Sequence, residues 1–143
     1  MPDIYPFMND GTPPDLRPHV EALVRNLLTI GKVPKEFRAA LELREHAESR
    51  MWAEIESGQR DPHKVAVRWI CFAGTEGAMQ LYHFRRALEG ISRTLRYLPL
   101  LRDALDANEL REIRKKFDAD FPNADEIRHA IAHAAEIGWT AED

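Results

Sequence analysis

Residues 70–98 read ICFAGTEGAMQLYHFRRALEGISRTLRYL, and the spacing of their apolar side chains decides the fold. Ile70, Ala73, Gly77, Leu81, Phe84, Leu88, Ile91, Leu95 and Leu98 follow one another at steps of 3, 4, 4, 3, 4, 3, 4 and 3. That is the period of one helix face, sustained for some eight turns at about 3.6 residues each. A stripe this long predicts a central helix packed by several neighbours. Asp61 as cap and Pro62 at the first helical position open it, and Pro99 ends or kinks it. Within it Ala73, Gly74, Gly77 and Ala78 form a patch of small residues. A mid-helix glycine costs about 1 kcal/mol relative to alanine. Close approach of another helix, from this chain or from a second copy, is the natural compensation.

The same period extends to both sides. Leu16, Val20, Leu23, Leu27 and Ile30 predict a helix capped by Asp15, with Pro18 in its first turn and Gly31 at its end. A second run follows Pro34 through Ala40, Leu43, Ala47, Met51 and Ile55 to Gly58. Downstream, Asp106 with Glu109 three residues later is a capping-box pattern, and Leu110, Ile113, Phe117 and Phe121 form the next stripe. Asn123 with Glu126 repeats the pattern before a last helix that runs to Ile137, with Gly138 as its left-handed cap and Trp139 beyond. No segment alternates with period two. The expected class is all-α, an up-and-down bundle of four to five helices. Residues 15–143 are expected to form this single domain. Residues 1–14, with prolines at 2, 6, 13 and 14, cannot join it as a helix and are expected to form an extended arm. Trp52 and Trp69 read as core or interface anchors, and Cys71 as a buried small hydrophobe.

Composition narrows the function. With 143 residues the chain can bury about 70% of its unfolded surface as one domain. A lone cysteine excludes an internal disulfide and a cysteine-based zinc site. The longest uncharged stretch, Gly77 to Phe84, is far short of the roughly 18 residues a membrane helix needs. Residues 1–15 do not look like a secretory signal, so a cytoplasmic protein is expected. The net charge of -4 is unevenly spread. Residues 1–63 carry 8 basic and 11 acidic side chains, residues 64–116 carry 11 and 6, and residues 117–143 carry 1 and 7. The basic middle offers a face to an anionic partner, with Arg85, Arg86, Arg93 and Arg96 as candidate contacts to a nucleic-acid backbone.

No Gly-rich phosphate loop, nucleophile elbow or calcium-loop spacing is present. The polar residues that stand out lie on the last predicted helix, around Arg128-His129-Ala130-Ile131-Ala132-His133. On a wheel with Ile127 at the origin, Ala130, Ile131, Ala134 and Ala135 fall within about 80° and define the buried face. Arg128 then borders that face on one side and His133 on the other, while His129 and Glu136 point outward.

These six residues resemble the signature of the HEPN superfamily (higher eukaryotes and prokaryotes nucleotide-binding), in which an Arg is followed after four to six residues by a His. The setting is similar too: a motif flanked by apolar residues on a late helix, after a long central one. The resemblance implies a four- or five-helix bundle that pairs about a two-fold axis and joins both copies of the motif in one cleft. It implies a metal-independent RNA endonuclease of toxin or defence type, leaving 2′,3′-cyclic phosphate ends, with a cognate antitoxin or regulator as a possible partner and no cofactor. Carried over by position, Arg128 and His133 are the catalytic pair. His129 occupies the variable polar position, where Asn or Asp is frequent, so its supporting role is less defined. A toxin subgroup has Tyr two residues after the motif His; here that residue is Ala135.

The residue types suit the chemistry. RNA carries its own 2′-OH nucleophile, so cleavage needs a base, an acid and a cation for the phosphoryl charge. Histidine titrates near neutrality, at about 6.5 when unperturbed, and the arginine fork donates two hydrogen bonds to a phosphoryl group. Arg128 and His133 lie about 140° apart on one helix, so convergence calls for the second subunit. Two other readings stay open: an inactive HEPN-like interaction protein, and a metal-binding bundle using His129, His133 and Glu136.

Overall fold

The computed structural model describes residues 12–58, 63–104, 106–124, 126–127 and 129–131. Among them there is no strand, and the fold is all-α as the periodicity predicts. The elements are α1 (Arg17–Glu56), α2 (His63–Thr94), a 3-10 turn (Leu95–Tyr97), α3 (Pro99–Ala104) and α4 (Ala107–Asp120). Helical backbone returns at 124, 126–127 and 129–131. No described helix is long and apolar enough to cross a membrane. The expected arm at 1–11, the Asp61-Pro62 helix start and the Gly138 cap lie outside the described residues. The end of the arm meets α1 through the Pro13 carbonyl, which accepts from the backbone N–H groups of Leu16 and Arg17 (3.0 and 3.2 Å).

The chief departure from expectation is α1. Gly31 and Pro34 predict a break between two helices, yet the helix runs through both for 40 residues. Proline inside a helix removes one ladder hydrogen bond and costs about 3 kcal/mol. Against that stand Val33, Ala40 and Ala47, all buried and spaced by sevens, so their face stays in register only if the helix continues. The left-handed glycine that closes α1 is Gly58 (φ 71°), where the sequence places the end of the second run.

The chain divides by its contacts into two units, and the division in α1 falls between Lys32 and Val33, beside Pro34. Unit 1 comprises residues 1–32 and 83–122. Its core is Leu23, Ile91, Leu95 and Leu98, with Leu16, Val20, Ile30 and Leu110 packed against it. Phe117 adds an aromatic row, its ring 5.3 Å from Phe84 and 5.1 Å from Phe121. The α4 cap is the one the sequence predicts: the Asp106 carboxylate accepts from the backbone N–H groups of Asn108 (2.8 Å) and Glu109 (3.3 Å). Pro99 opens α3 at its first residue, a position where no N–H is required. Buried Thr94 satisfies its hydroxyl by donating to the Gly90 carbonyl (2.8 Å).

Unit 2 comprises residues 33–82 and 123–143. Its buried residues are small: Ala40, Ala47, Ala66, Ala73 and Ala124, with Val33. A Cβ on Gly77 would sit 3.5 Å from the Phe37 ring and 3.8 Å from the Ala40 Cβ, so this part of the small-residue patch faces α1 of the same chain. A Cβ on Gly74 would meet nothing within 4 Å.

The core reading of Trp52 and Trp69 and the buried reading of Cys71 fail here, while exposure is compatible with the two tryptophans as interface anchors. Trp52 is 59% exposed, Trp69 is 38% exposed under the Arg50 guanidinium, and Cys71 is exposed. The geometry explains two of them. Cys71 lies about 160° around α2 from buried Ala73, and Trp52 about 140° around α1 from buried Ala47. An apolar type does not turn an outward-facing position inward.

Candidate functional site

The residues the sequence singles out fall into two groups. Arg128 and His133 lie outside the described residues, as does Glu136. His129 is exposed, on the helical backbone at 129–131. In this stretch Ala124 is buried and Ile131 half-buried, whereas Ile127 and Ala130 are exposed. The buried direction is therefore set by Ala124 and Ile131, about 20° apart on the wheel, and not by Ile127 as the pattern alone suggests. Among the described residues no group of three or more His, Cys, Asp or Glu is placed to hold a metal ion.

The second group is the set of arginines on unit 1, and their surroundings differ sharply. Arg85 Nε lies 3.1 Å from Asp118 Oδ1. Glu89 is shared: its Oε2 lies 3.0 Å from Arg86 Nη1 and 3.6 Å from Arg93 Nη2, and its Oε1 lies 3.6 Å from Arg114 Nη2. Arg114 Nε also reaches Asp118 Oδ2 at 3.7 Å. This chain of ion pairs ties α2 to α4. Arg86, Arg93 and Arg114 are largely exposed, so each of their pairs contributes no more than about 1 kcal/mol, whereas the Arg85 side chain is 22% exposed. The larger effect of the chain of pairs is on charge, because two carboxylates are spread over four guanidinium groups.

Arg96 is different. It lines a recess of about 210 Å³ together with Ser92, Leu95, Arg102, Leu110, Arg111 and Arg114. The lining comes from the end of α2, the 3-10 turn, α3 and α4. Buried Leu95 and half-buried Leu110 give the recess apolar wall, and four arginines contribute to its lining. Arg102 is paired with Asp103 (3.2 Å) and Arg114 with Glu89 and Asp118. Among the described residues Arg96 and Arg111 have no acidic partner. The Ser92 hydroxyl is already donating to the Leu88 carbonyl (3.0 Å), so the arginines are the donors left for a ligand.

Compared with protein-family models, with curated proteins and with solved structures, the chain matches none. Its chemistry therefore has to be argued from its own residues. Reading the sequence alone finds Arg96 but misses Arg102, Arg111 and Arg114. A signal for the last two was present, since residues three apart share a helix face and the positions three and four before Arg111, Asn108 and Ala107, hold no carboxylate. Nothing in a single helical wheel joins them to Arg96, which belongs to another element.

Proposed function

We propose that this chain is an RNA endonuclease of HEPN type, acting without metal in the cytoplasm as a homodimer. The observation that carries this reading is the sequence Arg128-His129-Ala130-Ile131-Ala132-His133, an Arg and a His at the family spacing in an all-α chain. Helical backbone at 126–127 and 129–131 supports it, because the spacing has its meaning on a helix.

In this reading one His133 takes the proton of the RNA 2′-OH as its oxygen attacks the adjacent phosphorus. The P–O5′ bond breaks, and the departing O5′ receives a proton from the second copy of His133. Arg128 holds the nonbridging oxygens while their charge grows. The products are a 2′,3′-cyclic phosphate and a 5′-hydroxyl. His129 orients its neighbours at the motif's variable position. A toxin or defence role, with a cognate antitoxin as partner, belongs to the same proposal.

The test is cleavage of single-stranded RNA in the presence of EDTA. His133→Ala is expected to lower the rate by about 10²- to 10⁴-fold, the usual contribution of a proton-transfer group. Arg128→Ala is expected to lower it by about 10²-fold or more. Unchanged rates in both variants would overturn the assignment, and a monomeric protein would remove the shared site.

A further inference from the structure

We propose that the recess lined by Arg96, Arg102, Arg111 and Arg114 is a binding site for a phosphoryl group. This goes beyond the nuclease reading, since none of these residues belongs to the Arg128/His133 motif.

The first argument is electrostatic. Four arginines contribute to the lining of a recess of about 210 Å³. Among the described residues only Arg102 and Arg114 have carboxylates at hand, leaving Arg96 and Arg111 uncompensated. Helix dipoles account for part of the arrangement. Arg96 stands in the last turn of the 3-10 segment and Arg102 in the last turn of α3, where cations are favoured. They do not account for Arg111, which stands one turn inside the start of α4, toward the end that favours anions. Its position is the one a bound anion would repay.

The second argument is chemical. A carboxylate has two oxygens and one charge, which two guanidinium forks satisfy. A phosphoryl group offers more oxygens and, at a chain end, close to two charges, matching forks from three directions. Leu95 and Leu110 supply apolar surface for the sugar or base carried by that phosphate. The phosphoryl group has two possible sources, an internal phosphate of an RNA strand or the terminal phosphate of a nucleotide.

The experiment is equilibrium binding of three probes: a short single-stranded RNA with a 5′-hydroxyl, the same RNA with a 5′-phosphate, and ADP. The Arg96→Gln/Arg111→Gln double variant is expected to weaken binding about tenfold or more, and Arg102→Gln about threefold because Asp103 already competes for it. Arg44→Gln, on an exposed pair with Glu48, is expected to leave binding unchanged. Loss for both RNAs assigns the recess to backbone phosphate. Loss only for the 5′-phosphorylated RNA and ADP assigns it to terminal phosphate. The proposal is overturned if wild type binds none of the probes, or if the double variant, with helix content intact by circular dichroism, binds them as wild type does. His133→Ala is expected to retain this binding, so a failed nuclease assay and a failed recess are separate results.

Discussion

The two units of this chain are held together by different means. Unit 1 buries Leu23, Leu88, Ile91, Leu95, Leu98 and Phe117; unit 2 buries Ala40, Ala47, Ala66 and Ala73. At about 0.8 kcal/mol per methyl-sized group and 1.5–3 kcal/mol per large side chain, each of these large side chains in unit 1 contributes two to four times more hydrophobic free energy than a buried alanine of unit 2. Unit 2 relies on close helix approach, with Val33 as its one large buried aliphatic among the described residues, and Trp52, Val65, Val67 and Phe72 are exposed, Phe72 at 63%. One core resists by bulk and the other by fit. They are expected to break in opposite ways, the first by removing atoms and the second by adding them.

The largest effect is expected from Ile91→Ala. Ile91 is 2% exposed at the centre of unit 1, and truncation should cost roughly 3 kcal/mol in a denaturant titration. A loss below about 1 kcal/mol would show that this core repacks freely. Next is Ala66→Leu, which places a large side chain at a fully buried position in unit 2 and should cost about 2 kcal/mol by overpacking. If it is neutral, the small-residue seam has slack and the contrast between the units fails. Glycines then sharpen the comparison. A Cβ on Gly90 in unit 1 would lie 2.5–2.8 Å from three atoms of the Asn26 side chain. Gly90→Ala forces the Asn26 side chain to turn aside, which should offset most of the roughly 1 kcal/mol gained in helix propensity and leave the variant near neutral. Gly74 in unit 2 faces open space, and Gly74→Ala should gain roughly 0.5–1 kcal/mol. Equal shifts in the thermal midpoints of the two glycine variants would contradict the packing described.

The same contrast separates what could be read from the sequence from what could not. The stripe from Ile70, the Asp106 cap, the break at Pro99 and the Gly58 terminus are all local patterns, and the helices follow them, although α2 gives way to a 3-10 turn at Leu95 and α3 begins at Pro99 without a signal of its own. Gly31 and Pro34 are local signals too, but weaker than the burial of Val33 and Ala40 on either side of Pro34, so α1 continues. Gly90 went unnoticed because its crowding comes from Asn26, distant in sequence. Cys71 and Trp52 are apolar types at outward positions on their helices, so residue type alone predicts burial that the wheel does not. For the site, Arg128 and His133 stand out by spacing alone. The arginine recess does not, since its members sit at 96, 102, 111 and 114 on three elements and only folding gathers them.

Glu89 carries a consequence of its own. One carboxylate, 16% exposed, already occupies the reach of Arg86, Arg93 and Arg114. An anion that engages Arg86, Arg93 or Arg114 must outcompete a resident that never diffuses away.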